Sequence, residues 1–327
     1  MHEEKYADLV WDYDEAAHER FIENLAPIVL FAYNRLEHTK KTIEALQQNV
    51  YAKDSELYIY SDAPKNEAAK ESVEVVRAFL HQVDGFKQVH IIERDKNWGL
   101  AKNIIDGVTG IVNKYGKIIV LEDDIVTSRY FLKYMNDALE VYKDEKRVME
   151  VNGYMPQINT EGIPETFFLK YADCWGWATW ARAWKHFRRE PEAIRDSFTQ
   201  DEIYKFNLNG AGEGRWEQIV ANCDGRLYTW AIFWDVAIFK NHGLSLMVRN
   251  SLVANVGTDG SGEHCQTMVA FQTKINDKPI MKYPLTIQEN KFARETFEDF
   301  FLGLKPSIWQ RIKNKIKMLL GNRMVIV

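Results

Sequence analysis

The sequence predicts an α/β protein built on a mostly parallel sheet flanked by helices. Three observations predict it. Strand-like and helix-like segments alternate four times along the first part of the chain, at about 30 residues per unit. The strand segments are largely unbroken apolar runs, as expected where helices cover both faces of a sheet. Polar and charged residues gather where those strands end, and open α/β sheets bind their ligands at the carboxyl ends of the strands.

Residues 26–33 (APIVLFAY) run apolar from a proline boundary and read as the first strand. Asn34 and Arg35 follow, after which Leu36, Thr39, Ile43 and Leu46 recur at helical spacing. Residues 56–61 (ELYIYS) read as a second strand ending at Asp62, before a turn at Pro64. Val73, Val76, Phe79 and Leu80 mark the next helix, residues 89–92 a third strand and residues 100–112 a further helix. Residues 117–121 (KIIVL) form a fourth strand that runs straight into Glu122, Asp123 and Asp124. Beyond about residue 145 the pattern shifts to short strands, more glycine and many tryptophans, with no repeat and no low-complexity linker. This half is expected to extend the first as one unit.

Composition narrows the function classes. In 327 residues the formal net charge is −5, with 46% hydrophobic and 27% charged residues. Those values fit a soluble globular protein, exclude disorder as the main state and argue against nucleic acid as a partner. Cys174, Cys223 and Cys265 lie far apart, which suits neither a disulfide framework nor a zinc knuckle and fits a reducing compartment. No signal-peptide pattern and no apolar run long enough to span a bilayer occur, so the expected location is the cytoplasm. Residues 305–327 differ from the rest, with six basic residues and no acidic one. There Ile308, Trp309, Ile312, Ile316, Leu319 and Leu320 recur at helical spacing. That pattern suits a helix lying on an anionic membrane surface, or one docked on its own domain.

The acidic triplet carries the chemistry. Three adjacent carboxylates at the mouth of a buried strand raise one another's pKa unless a counter-charge is supplied. A divalent cation such as Mn2+ or Mg2+, shared with substrate phosphates, is the economical one. The alternative is that Asp123 or Asp124 caps a helix beginning near Ser128. No GxGxxG follows the first strand and no GxxxxGK[ST] occurs, which disfavours a dinucleotide-binding dehydrogenase and a P-loop NTPase.

VLEDDI resembles the DxD-type motif of GT-A glycosyltransferases, which use nucleotide-sugar donors. PIVLFAYNR and YSDAP resemble the first and second nucleotide-binding strands of that fold, and NWGLAKNI the segment before the DxD strand. CWGWATWARAW and FWD resemble acceptor-side segments. The combination spans about residues 26–265 and is similar to the N-acetylglucosaminyltransferase-I-like group and related bacterial sugar transferases. The resemblance implies a GT-A fold, a Rossmann-like mostly parallel sheet with a mixed acceptor-side half. Together with the composition, it is expected to divide the chain into an extension (1–25), a nucleotide-sugar half (26–145), an acceptor-binding and catalytic half (146–300) and a basic amphipathic C-terminal helix (301–327). It places Tyr33 and Arg35 along the uridine and phosphates, and Asp62 on the uracil. Glu122 and Asp123 would face the ribose or donor sugar, and Asp124 would hold the metal. Asp235, in FWD, would be the general base of an inverting transfer. The eukaryotic pattern has a second acid after FWD, where this chain has Val236. Sequence alone leaves a retaining reaction open.

Other residues complete the expected site. Trp175 and Trp177, flanking Gly176, and Trp234 are expected to stack on acceptor sugar rings, whereas Trp180 and Trp184 are expected to pack in the core. Residues 255–264 (NVGTDGSGEH) read as a loop that closes over the nucleotide, with His264 reaching the metal or diphosphate, or else serving structure alone. Glu213, in NGAGEG, is a reserve base. The expected function is transfer of a sugar, GlcNAc by family default, from a UDP-sugar to a glycan or lipid-linked acceptor. The competing readings are a non-catalytic carbohydrate-binding or scaffold protein on the same fold, and a sugar-nucleotide pyrophosphorylase. The latter is expected to carry a glycine-rich basic loop after its first strand, where Asn34-Arg35-Leu36-Glu37 stands.

Overall fold

A computed structural model describes residues 4–212, 214–257 and 269–304. Helix α1 (Glu15–Glu23) precedes strand β1 (Ile28–Ala32), α2 (Leu36–Gln47), β2 (Glu56–Ser61), α3 (Lys70–Leu80) and β3 (Gln88–Glu93). Next come α4 (Leu100–Tyr115), β4 (Lys117–Glu122), β5 (Ile125–Thr127), α5 (Phe131–Val141), β6 (Val148–Asn152), β7 (Thr166–Leu169) and β8 (Trp177–Trp180). The second half continues with α6 (Ala181–Trp184), α7 (Pro191–Asp196), α8 (Gln200–Phe206), α9 (Gly214–Cys223) and α10 (Ala231–Lys240). Strands β9 (Leu244–Val248) and β10 (Val253–Asn255) and helix α11 (Lys291–Leu304) close the described chain.

Eight strands form one sheet in the order β3-β2-β1-β4-β8-β6-β9-β7. The first four are parallel, as the alternation predicts. Strand β8 joins antiparallel to both β4 and β6, which carries the sheet unbroken into the second half and makes it mixed there. This is the α/β class, with a largely parallel sheet that turns mixed in the second half, that the sequence predicts.

Burial on both faces explains the unbroken apolar runs. In β1, Ile28, Leu30 and Ala32 enter the core on one face, while Val29 and Phe31 enter the core on the other. Helix α4 lies close enough on the second face that a Cβ at Gly107 would come within 2.8 Å of the Phe31 ring. Glycine is the residue that permits this approach. The N-terminal extension is tied down by an antiparallel bridge between Tyr6 and Pro284 and by the Trp11 indole donating to Asp137 at 2.9 Å.

A second, two-stranded ribbon positions the site. Strand β5 follows β4 after a two-residue turn made of Asp123 and Asp124, and pairs antiparallel with β10. The helix-capping alternative for these acids is therefore excluded: β5 intervenes, and α5 begins at Phe131 with no side-chain cap. The expected basic helix at 301–327 meets α11, which starts at Lys291. Residues 305–327, like Glu213 and His264, lie outside the described residues. Among the described residues no helix is long and apolar enough to cross a membrane.

Candidate active site

The carboxylates are held by backbone and hydroxyl groups from three directions. Thr42 of α2 donates its hydroxyl to the Asp123 carbonyl (2.9 Å), and the Val256 amide donates to the Asp124 carbonyl (2.8 Å). The Tyr33 amide at the end of β1 donates to Asp123 Oδ2 (3.2 Å). One guanidinium nitrogen of Arg35, Nη2, donates to Asp123 Oδ1 at 2.6 Å and to Asp124 Oδ2 at 2.7 Å. Arg35 is thus drawn onto the acids themselves, the first physical answer to the like-charge problem.

The residual electrostatics are uneven. Burial, reinforced by Asp124 and Asp123, pushes the Glu122 carboxyl up to about 8, so it carries a proton at neutral pH. Burial also raises Asp123, against the opposing pull of Arg35. Burial works against the charge on Arg35, but Asp123 and Asp124 outweigh it and hold its pKa above the ordinary value. One guanidinium is thus shared between the carboxyl groups of Asp123 and Asp124.

That donor set bears on the metal. Among the described residues no group of three or more His, Cys, Asp or Glu side chains is arranged to hold an ion. The site does not fit an all-protein metal cage. It fits the other common mode, in which one or two carboxylates bind Mg2+ or Mn2+ jointly with substrate phosphates.

Asp62 has a set of partners that the sequence does not reveal. Its carboxylate accepts the amides of Ala63, Trp98 and Gly99 (2.9 Å each) and the Asn97 side-chain amide (3.2 Å). It lashes the end of β2 to the loop entering α4, where Gly99 takes a positive φ of 71°. A uracil contact at Asp62 would have to displace one of these four donors. Arg94 lies over the Trp98 ring at 4.0 Å in the same corner. Tyr33 accepts the Lys65 amide on its hydroxyl at 3.0 Å. An open groove of about 570 Å³ lies beside this loop, lined by Pro64, Lys65, Arg77 and Asn97 among others, and its lining includes none of the three acids.

The second half supplies another acidic group. Asp235, on α10, is buried and ion-paired with the buried guanidinium of Arg215, and its Oδ1 accepts the Ala172 amide at 3.2 Å. Burial raises its pKa in spite of Arg215. Glu150, on β6, has no exposed surface. It accepts the Trp234 indole at 2.6 Å and the Asp173 amide at 3.2 Å, and burial raises its pKa far above the carboxylate range.

Asp173, which the motifs do not single out, sits between the two acidic groups. It lies in the loop joining β7 to β8, half-buried, with its carboxylate accepting the Trp175 amide at 2.9 Å. Its charge is felt by Glu122 on one side, and it feels Asp235 on the other. Burial pushes its carboxyl up to about 7, the poise of a general base at neutral pH. The one signal of it in the sequence is an acid two residues before the Trp-Gly-Trp run.

The tryptophan expectations divide. Trp177, on β8, is 1% exposed and packs against Trp184, Trp230 and Trp234 with ring centroids 5.8, 5.4 and 6.1 Å away. Trp234 is 2% exposed. Both are core residues and neither can stack on an acceptor, a correction to the expected site. Strand and helix direct these rings inward, where the second core closes around them. Trp180 and Trp184 are buried, as expected. Trp175 makes edge-type ring contacts with Tyr154 (4.7 Å) and Phe271 (6.3 Å), and is the one of the three that is only half-buried.

Comparison with known proteins gives a match over part of the chain. No curated protein sequence matches the chain. Among solved structures, a mannosyltransferase, PcManGT from Pyrobaculum calidifontis in complex with GDP-Man and Mn2+, is 9% identical with a TM-score of 0.35, covering 68% of this chain and 74% of its own. TarS of S. aureus is 14% identical with a TM-score of 0.35, covering 57% of this chain, and this chain spans 34% of the TarS length. At these scores the likeness is remote. Residues 28–165, from β1 to the end of the segment before β7, match glycosyl transferase family 2. The parallel strands β1 and β4 and the acidic turn closing β4 all lie within the stretch, residues 28–165, that matches glycosyl transferase family 2.

Proposed function

We propose that the chain is a metal-dependent transferase that moves a sugar from a UDP-sugar to a glycan or lipid-linked glycan acceptor, with inversion. GlcNAc is the donor sugar favoured by the resemblance to the N-acetylglucosaminyltransferase-I-like group. The observation that carries the reading is the acidic Asp123–Asp124 turn at the carboxyl end of β4, bordered by Tyr33 and Arg35. Residues 26–145 hold the donor, with Tyr33, Arg35, Glu122 and Asp123 along it, and residues 146–300 hold the acceptor, with Trp175 as the aromatic face. Asp124 would hold Mn2+ or Mg2+, which when bound neutralises charge on the departing nucleotide diphosphate.

The acceptor hydroxyl must lose a proton. Asp235 is the base in the leading reading: Arg215 and the Ala172 amide fix its carboxylate, and the incoming hydroxyl has to take the place of one of them. A second reading assigns the proton to Asp173, and its partial exposure and pKa of about 7 favour it. The pH profile separates the two. With Asp173 as base, kcat/KM falls as pH drops below about 7, because the protonated acid cannot accept a proton. Asp173→Asn then removes that limb and lowers kcat roughly 10²–10⁴-fold. With Asp235 as base, Asp235→Asn causes that loss and Asp173→Asn retains most of the rate.

The reading as a whole is tested by UDP release from a panel of UDP-sugars with Mn2+ and oligosaccharide acceptors. Release with at least one sugar is expected. No release from any of them would leave the carbohydrate-binding or scaffold reading standing. The basic segment 305–327 gives a separate expectation of peripheral binding at an anionic membrane surface. Deleting it should abolish binding to vesicles containing phosphatidylglycerol while turnover on soluble acceptors persists. Undiminished vesicle binding would refute the membrane role.

A further inference from the structure

Arg35 occupies the position that a cation would want. Its Nη2 donates to both Asp123 Oδ1 and Asp124 Oδ2, whereas Nη1 is buried and has no hydrogen-bond partner among the described residues. The backbone at Gly257 closes over the pair. A Cβ there would collide with Asp124 Oδ2 and lie 2.7 Å from Arg35 Nη1. The Val256 amide holds that segment to the Asp124 carbonyl at 2.8 Å. A divalent ion approaching Asp124 therefore meets an oxygen already engaged, a guanidinium of like sign beside it, and a covering strand end.

We infer that Arg35 is a resident counter-cation that competes with the divalent ion for Asp124, so that metal and nucleotide diphosphate bind together and the metal binds poorly alone. The inference deepens the proposed function and rests on its metal-binding reading. The physical logic is charge balance. When a diphosphate arrives it brings negative charge, and Arg35 can turn from Asp124 onto the phosphate oxygens, giving the unpartnered Nη1 an acceptor. The freed Asp124 oxygen then becomes available to the ion. Without the diphosphate, an ion on Asp124 would leave Arg35 with Asp123 alone and set two positive charges side by side in a partly buried corner, where like charges repel. Metal and nucleotide are thus positively coupled, and reciprocity requires each to tighten the other by the same factor.

The test measures Mn2+ binding to the full chain by electron paramagnetic resonance, alone and with UDP, after allowance for Mn·UDP formed in solution. Wild type is expected to bind Mn2+ weakly alone and about 5- to 150-fold more tightly with UDP, the usual range for such a coupling. Arg35→Gln should tighten the binding of Mn2+ alone by a similar factor and shrink the coupling. Arg35→Lys keeps the positive charge without the fork that spans two carboxylates, so it should fall between them and guards against misfolding of the glutamine variant. Adding Asp124→Asn to Arg35→Gln should cancel the gain. Unchanged affinity for Mn2+ alone in both Arg35 variants, with Mn·UDP binding intact, overturns the inference and leaves the proposed function standing. Absence of Mn2+ binding under every condition overturns both.

Discussion

Asp124→Asn is expected to lower UDP-forming turnover by roughly 10²–10³-fold, about 3–4 kcal/mol of transition-state stabilisation, while the protein stays folded. Stability should hold because Arg35 keeps its 2.6 Å bond to Asp123 and because Asp124 is placed by its backbone carbonyl, which accepts the Val256 amide. The loss of one arm of an ion pair should shift the melting midpoint by no more than about 2–4 °C. The asparagine keeps the shape of the turn and removes the charge, so a fall in rate reports charge rather than architecture. Steady-state kinetics with saturating Mn2+ beside a thermal melt check both parts. A variant that retains wild-type turnover would remove Asp124 from the chemistry.

Trp177→Ala is expected to cost about 3–5 kcal/mol of stability, the usual range for emptying a buried Trp site. Total stability of a folded protein is about 5–15 kcal/mol, so this change should move the unfolding midpoint far down or leave the chain insoluble. The ring is 1% exposed and is enclosed by Trp184, Trp230 and Trp234. Trp177→Phe, which fills more of the space, should recover a large part of the loss. Trp175→Ala, in the loop against Tyr154 and Phe271, should change stability less and raise the KM for acceptor instead. Denaturant melts of the three variants check the order. A stable, soluble Trp177→Ala protein with a raised acceptor KM would reverse the assignment and return Trp177 to the site.

Much of the first half is legible in the sequence. The four apolar runs coincide with β1 to β4, and the second matches β2 residue for residue. Strands β1, β2 and β4 are enclosed on both faces and announce themselves as largely apolar segments, whereas β3, at the sheet edge, is only partly buried. The acids after KIIVL follow from the same rule, since a strand end in an open α/β sheet is where polar residues are exposed to ligand. The second half is less legible. Trp177 and Trp234 resemble sugar platforms because a tryptophan in an aromatic-rich run suits both a core and a carbohydrate site, and composition does not distinguish them. Asp62 resembles a ligand contact because nothing local shows that Ala63, Asn97, Trp98 and Gly99 all converge on it.

Periodicity and chain neighbours are enough to specify the four parallel strands, the helices that cover them, and the placing of Glu122, Asp123 and Asp124 at the mouth of the sheet. Both signals are local, so they survive in a linear text. Which charges meet is settled by the folded chain. Arg35 reaches Asp123 and Asp124 across 88 and 89 residues, Arg215 reaches Asp235 across 20, and Asp173 comes to lie between two acidic groups that the chain keeps apart. Charge pairing and burial act through space, so protonation and counter-charge belong to the fold rather than to any stretch of sequence.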